Sequence, residues 1–317
     1  IATASPTVIS IDTYKNLILA PGAGRTISMP DKNYIIYNDI EVNGDPTGIA
    51  SLTNAAARIY TVNHDLNITQ GILDLGSGFA NTMAVLGDVM VSNGGTLQSP
   101  ASGSVTHNLY LNGNLTNEGI ISLNNASKSN LTFQGSGSRN FDGSNGSASV
   151  SLNSLIVNIG SNNSTELDIS TLGSFSAPTN NWVTLTSGNL KWSKSGSITL
   201  TDAVGDFIIP SAAALTLNHS GLTVNVNQVN SSDADVILLG KLSIQAGTMN
   251  IGNSANNRHN DLEVGSAGIA EFEIAGSGVL NVNGEIRRSL VVQSGSLKYT
   301  QSGTSTVLVR GKNPDGG

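Results

Sequence analysis

Apolar residues along this chain alternate with polar ones in short bursts, and glycine joins the bursts. One ten-residue pattern recurs: apolar, x, apolar, x, x, Gly, x, apolar, x, apolar. It runs as Leu66-x-Ile68-x-x-Gly71-x-Leu73-x-Leu75 and as Val183-x-Leu185-x-x-Gly188-x-Leu190-x-Trp192. It returns as Leu242-x-Ile244-x-x-Gly247-x-Met249-x-Ile251 and as Leu290-x-Val292-x-x-Gly295-x-Leu297-x-Tyr299. Copies with one extra residue run from Val89 to Leu97 and from Phe272 to Leu280. Alternation of period two puts one set of side chains on a single face of a strand. The glycine supplies a turn in which positive φ costs little. Strands of about three to five residues are shorter than the usual mode. Such strands gain stability by stacking on copies of themselves.

A second element often precedes the first: Gly87-Asp88-Val89, Gly113-Asn114-Leu115, Gly240-Lys241-Leu242 and Gly284-Glu285-Ile286. An alternating strand such as Leu109-x-Leu111 or Leu280-x-Val282 leads into it. The unit is therefore strand, tight corner, strand, glycine turn, strand, in roughly 20 to 25 residues, and about 12 to 15 coils fill the chain. The predicted fold is all-β, a right-handed parallel β-helix. Its core is expected to hold Leu242, Ile244, Met249, Ile251, Leu290, Val292 and Leu297. Two stretches break the pattern. Residues 1–60, with Pro6, Pro21, Pro30 and Pro46, predict an irregular N-terminal cap or first coils, in which Ala55-Ala56-Ala57-Arg58 forms a helical turn or a protruding loop. Residues 135–150 are poor in apolar side chains and predict an outward loop or a join between the coils of 61–134 and those of 151–317.

Composition narrows the class. Gly, Asn, Ser and Thr make up about 44% of the 317 residues, a mixture that disfavours helix. Hydrophobic residues at 38% still allow a continuous core, which disfavours disorder. With no Cys there is no disulfide framework and no thiolate metal site. No run of 18 apolar residues is present, so no membrane-inserting helix is expected. The net charge of −7 and the lack of a Lys/Arg cluster argue against a nucleic-acid partner. Asn112, Asn114, Asn117, Asn124, Asn125, Asn162, Asn163, Asn180 and Asn181 gather where corners are expected. Asn tolerates left-handed backbone there and also stacks in ladders. Asn114, Asn130 and Asn145 stand in N-x-Ser/Thr triplets, which this composition produces by chance.

Candidate chemistry is sparse. His64, His107, His219 and His259 are scattered, with no paired metal spacing, and are expected at exposed or corner positions. The densest polar cluster, Asn256-Asn257-Arg258-His259-Asn260-Asp261, predicts a solvated turn, with sugar or cation contact as its functional alternative. Glu263, Glu271, Glu273 and Glu285 suggest an acidic face. Glu271 and Glu273, two apart on a strand, point the same way with nothing arranged opposite them, unlike a catalytic pair. Asp233-x-Asp235 and Asp202-x-x-x-Asp206 are spaced for a structural calcium loop, without the full oxygen set. Trp182 and Trp192, the latter between Lys191 and Lys194, are expected in the core rather than stacked on sugars. A β-helical polysaccharide lyase or hydrolase needs acids, or acids with Lys or Arg, on adjacent coils of one exposed face. The sequence shows no Asp-Asp pair and no Gly-His-Gly. No catalytic, cofactor-binding or metal residue is therefore assigned.

Longer motifs carry a resemblance. Leu109-Tyr110-Leu111-Asn112-Gly113-Asn114-Leu115-Thr116-Asn117-Glu118-Gly119-Ile120-Ile121 resembles the G-N-L-x-N-x-G-x-I coils of large bacterial surface adhesins. Asn130-Leu131-Thr132-Phe133-Gln134-Gly135-Ser136-Gly137-Ser138-Arg139-Asn140-Phe141-Asp142-Gly143, followed by Leu152-Asn153-Ser154-Leu155-Ile156-Val157-Asn158, is similar to a module of repetitive Bacteroidetes surface proteins. Tyr14-Lys15-Asn16-Leu17-Ile18-Leu19 with Gly22-x-Gly24-x-x-Ile27 resembles the same module, offset. Ser154 stands where that module tends to carry an aromatic, and Arg139 where Gln is commoner. Filamentous haemagglutinins and autotransporter passengers share the repetitive style. The family includes giant adhesins of gliding bacteria exported by the type IX secretion system. The resemblance implies an extracellular, cell-surface β-solenoid, a stalk or binding segment without catalysis. Its implied partners are surface glycans or a substratum and further segments of a longer chain. A carbohydrate-active β-helix enzyme and an autotransporter or two-partner-secreted passenger are the alternatives. The apolar run Val307-Leu308-Val309 carries no polar cap, which predicts cover from further protein or from the first 60 residues.

Overall fold

A computed structural model describes residues 12–201, 205–226, 235–253, 260–265, 268–289 and 294–311. These residues contain strands and turns and no helix, and the strands stack in parallel as a β-solenoid of about 11 turns. Partner residues on successive coils lie from 22 apart (Thr13 and Ile35) to 31 apart (Thr248 and Val279). The coils are thus fewer and longer than the repeat spacing predicts. Corner loops such as residues 99–105 and 143–148 add residues that alternation does not register.

The chain divides into two compact units, the first comprising residues 1–134, 139–155 and 171–177, and the second 135–138, 156–170 and 178–317. In the first, each full coil gives one strand to each of three parallel ladders. Thr82–Val85, Val89–Val91 and Gly95–Gln98 form one coil, and they pair with Thr106–Leu111, Leu115–Asn117 and Ile120–Ser122 of the next. Inward side chains align from coil to coil, as in the buried column Leu17, Ile40, Leu66, Val89, Leu115 and Phe141. Tyr14, Tyr34 and Tyr60 form an aromatic stack with ring centroids 5.9 and 5.7 Å apart. The second unit repeats the plan. Leu167, Leu190, Leu215, Leu242 and Phe272 are in register down one ladder. Val224, Met249 and Leu280 are in register down another, and Phe207, Val236 and Leu262 down a third.

The pattern glycines do what the sequence requires of them. Gly71, Gly188, Gly247 and Gly295 have φ of 93°, 89°, 87° and 85°. Gly113 answers a different need, because a Cβ there would collide with the Gly87 carbonyl oxygen one coil back.

Several expectations are corrected. Leu242, Ile244, Met249 and Ile251 are fully buried, but Leu297 is 39% and Tyr299 48% exposed. Their strand, Ser296–Gln301, pairs with Ile269–Ile274 on one side and has no second neighbour among the described residues, so stacking covers only one flank. Leu290 and Val292 lie outside the described residues. Of the alternatives for the first 60 residues, residues 12–60 take that of first coils, with strands on the same ladders, and residues 55–58 that of a loop. Within 135–150, Arg139–Asp142 is a strand with Phe141 fully buried, so one well-placed aromatic holds a polar stretch in the coil. His107 is buried, not at the surface: its Nδ1 accepts the Asn81 main-chain N–H at 3.0 Å, and burial lowers its pKa.

Candidate functional site

Seven of the acids stand on two corner ladders. In the first unit, Asn16, Asp39, Asp65, Asp88, Asn114 and Asn140 occupy the same corner on successive coils. From Asp39 onwards, the Oδ1 of each accepts the main-chain N–H of the next, at 3.1, 2.7, 2.7 and 3.0 Å. An apolar residue follows each of the six, and at Asp88 and Asn114 the preceding residue is a glycine, which lets the preceding coil pass close. His64 sits across this ladder, with Nδ1 2.6 Å from Asp39 and 3.1 Å from Asp65. The Asp39 contact, then the Asp65 charge, raise the His64 pKa. The donor atoms of these three residues lie within 4.8 Å of one another. Sequence spacing hides this group, since Asp39 is one coil away from the other two.

The second unit builds the same device. Asp206, Asp235, Asp261 and Glu285 form its corner ladder, with side chain to main chain N–H distances of 3.0, 2.8 and 2.7 Å. Arg287 closes it: Nε lies 2.9 Å from Asp261, and Nη2 2.9 Å from Glu263 and 3.4 Å from Asp235. Ser289 Oγ donates to the second Glu263 oxygen at 3.0 Å. Asp261 and Glu263 are each 4% exposed. Burial drives the Asp235 pKa up to about 6 and raises that of Asp261, with the neighbouring carboxylates adding to both. Acids on adjacent coils beside an arginine are thus present, although the sequence shows no local pair. They are sealed in and bonded to one another. Asn260 and Asp261 are buried rather than in a solvated turn, while Asn256 to His259, Asp202 and Asp233 lie outside the described residues.

The outward strand faces carry paired charges. Lys241 lies 2.8 Å from Glu273, which it holds below the usual carboxylate range, and Lys298 lies 3.4 Å from Glu271. Lys191 bridges Glu166 and Asp168 at 3.1 and 3.2 Å. Trp182 and Trp192 are buried edge to face, centroids 6.2 Å apart, with Trp182 Nε1 donating to the Thr199 carbonyl at 2.8 Å. Neither presents a face to a sugar. The amide nitrogens of Asn114, Asn130 and Asn145 all donate within the protein, to Asp88, Asn108 and the Glu118 carbonyl.

What the sequence reading missed is a pair of asparagine ladders, every member of which except Asn153 stands on a strand. Asn108, Asn130 and Asn153 are linked Nδ2 to Oδ1 at 3.3 and 3.2 Å. In the second unit Asn225, Asn250 and Asn281 are linked at 2.9 and 2.8 Å. This second ladder borders a cleft of about 260 Å³ with Asn253, Asn283 and Arg310 on its walls. Among the described residues, no carboxylate lines it. The signal was in the chain: Val224-Asn225-Val226, Met249-Asn250-Ile251 and Leu280-Asn281-Val282 each put Asn between two inward apolar residues. Only the coil-to-coil register stacks the three. No family model, curated protein or solved structure matches this chain, so the likeness to Bacteroidetes surface adhesins stands on its motifs alone, and what is established is a β-solenoid.

Proposed function

We propose that this chain is a structural and adhesive segment of a large bacterial cell-surface adhesin, extracellular and without catalysis, in the style of the gliding-motility adhesins its motifs resemble. The observation that supports it is the amide-lined cleft. Asparagine amides donate and accept hydrogen bonds but do not titrate, so they hold a ligand without moving protons. The test is retention of the immobilised chain on a panel of surface glycans and on whole bacterial cells, alongside turnover assays on pectin, alginate, xylan and host glycans. Retention without turnover is expected.

One observation favours the alternative of a carbohydrate-active enzyme: Asp235 on one coil faces Asp261 and Glu263 on the next, with Asp235 and Asp261 raised in pKa. Their burial and the Arg287 clamp favour a structural role. Turnover abolished by Asp261→Asn or Glu271→Gln would replace adhesion with catalysis.

A further inference from the structure

We propose that the Asn225–Asn250–Asn281 cleft binds an acidic polysaccharide segment built from uronate sugars, with Arg310 on the carboxylate and the amide ladder on the ring hydroxyls. This rests on the adhesive reading above and deepens it to a ligand class. The interior amide, Asn250, donates one N–H to Asn225 Oδ1 at 2.9 Å and accepts one from Asn281 Nδ2 at 2.8 Å. A second N–H and a second lone pair remain on the interior amide. A sugar hydroxyl is both donor and acceptor and matches that pair. The amides recur at one strand spacing, about 4.8 Å, so the surface they present is periodic and suits a chain of repeating units rather than a lone sugar.

Arg310 sets the charge of the ligand. Lys32, Arg58, Lys191, Lys241, Arg287 and Lys298 each face a carboxylate. Arg310 is exposed, its guanidinium has no side-chain partner among the described residues, and it lies on a cleft wall without acids. Its main-chain N–H bonds the Val282 carbonyl at 3.0 Å, which ties it to the strand carrying Asn281. A guanidinium takes a carboxylate through two parallel hydrogen bonds. In a protein of net charge −7, an arginine with no carboxylate beside it among the described residues, next to neutral amides, is a favourable place for a negative group.

Isothermal titration of the full chain with hexagalacturonate, with its methyl ester and with a mannuronate–guluronate hexamer tests this. Binding of an acid oligomer is expected, weakened tenfold or more by esterification, by Arg310→Ala and by Asn250→Asp, with Arg310→Lys retaining part. Arg310 is exposed, so its variants should keep the wild-type far-UV spectrum and separate lost binding from lost fold. Equal affinity for acid and ester, equal affinity of wild type and Arg310→Ala, or no binding of any uronate oligomer would overturn the assignment. If cell retention persists unchanged in Arg310→Ala, adhesion stands and this cleft is not its ligand site. If wild type cleaves the oligomer while Arg310→Ala binds it weakly, the ligand class stands and the non-catalytic reading fails.

Discussion

Individual residues here answer to stacking. Ile244 is fully buried, with Leu217 and Ile274 in register on either side. Truncating it to Ala removes apolar surface from two interfaces at once, and a loss of about 2 to 5 kcal/mol by urea denaturation is expected. A loss below about 1 kcal/mol would mean that the column does not close around it. Asp235 behaves in the opposite sense to an ordinary ion-paired acid. Its ordinary value of 3.8 rises to about 6 on folding, so between these values the folded state binds more protons. Its stabilising contribution is present near pH 4 and lost as pH rises through 6, an upper limit of about 3 kcal/mol. Asp235→Asn keeps an oxygen for the Asp261 N–H and removes the buried charge. It should raise the urea midpoint at pH 8 and leave it nearly unchanged at pH 4. A midpoint shifted equally at both values would place the effect outside this titration.

At the scale of elements, the coil corner is the repeated part. Gly-Asp/Asn-apolar was visible in the sequence as a spacing, and the alternation around it identified the strands on both sides. What the spacing did not carry was the partner: each corner oxygen bonds the coil after it, at a separation of 23 to 29 residues. Asp88 Oδ1 takes both the N–H and the Nδ2 of Asn114, at 2.7 and 3.1 Å. Asp88→Ala should cost about 1 kcal/mol in chemical denaturation, while Asp88→Asn keeps an acceptor and most of the stability. Equal losses in the two variants would show that charge, not hydrogen bonding, sustains the ladder. The same limit explains why an irregular cap stayed open as a reading of residues 12–60 and why the strand at Arg139–Asp142 was not expected. Prolines and low apolar content described those stretches locally, whereas Tyr34, Tyr60 and Phe141 had columns waiting for them.

Over the whole molecule, stability is a sum over neighbouring coils. Strand Lys241–Ile251 has strands on both flanks, and Ser296–Gln301 on one. Amide hydrogen exchange should therefore be slowest in the former and markedly faster in the latter. Equal protection in both would show that the flank of Ser296–Gln301 is covered in solution. The far-UV spectrum should show strand and no helix. The all-β solenoid was determined by the sequence itself, because period-two alternation, turn glycines and a composition poor in helix formers are local properties. Register decided the rest. A one-residue slip would turn every column inside out, and it is the register chosen by the core that brings Asp39 to His64, Asp235 and Asp261 to Arg287, and three separate asparagines into one ladder. Each of these side chains lies at least one coil from its partner, so the contact that gives it a role exists only once the coils have stacked.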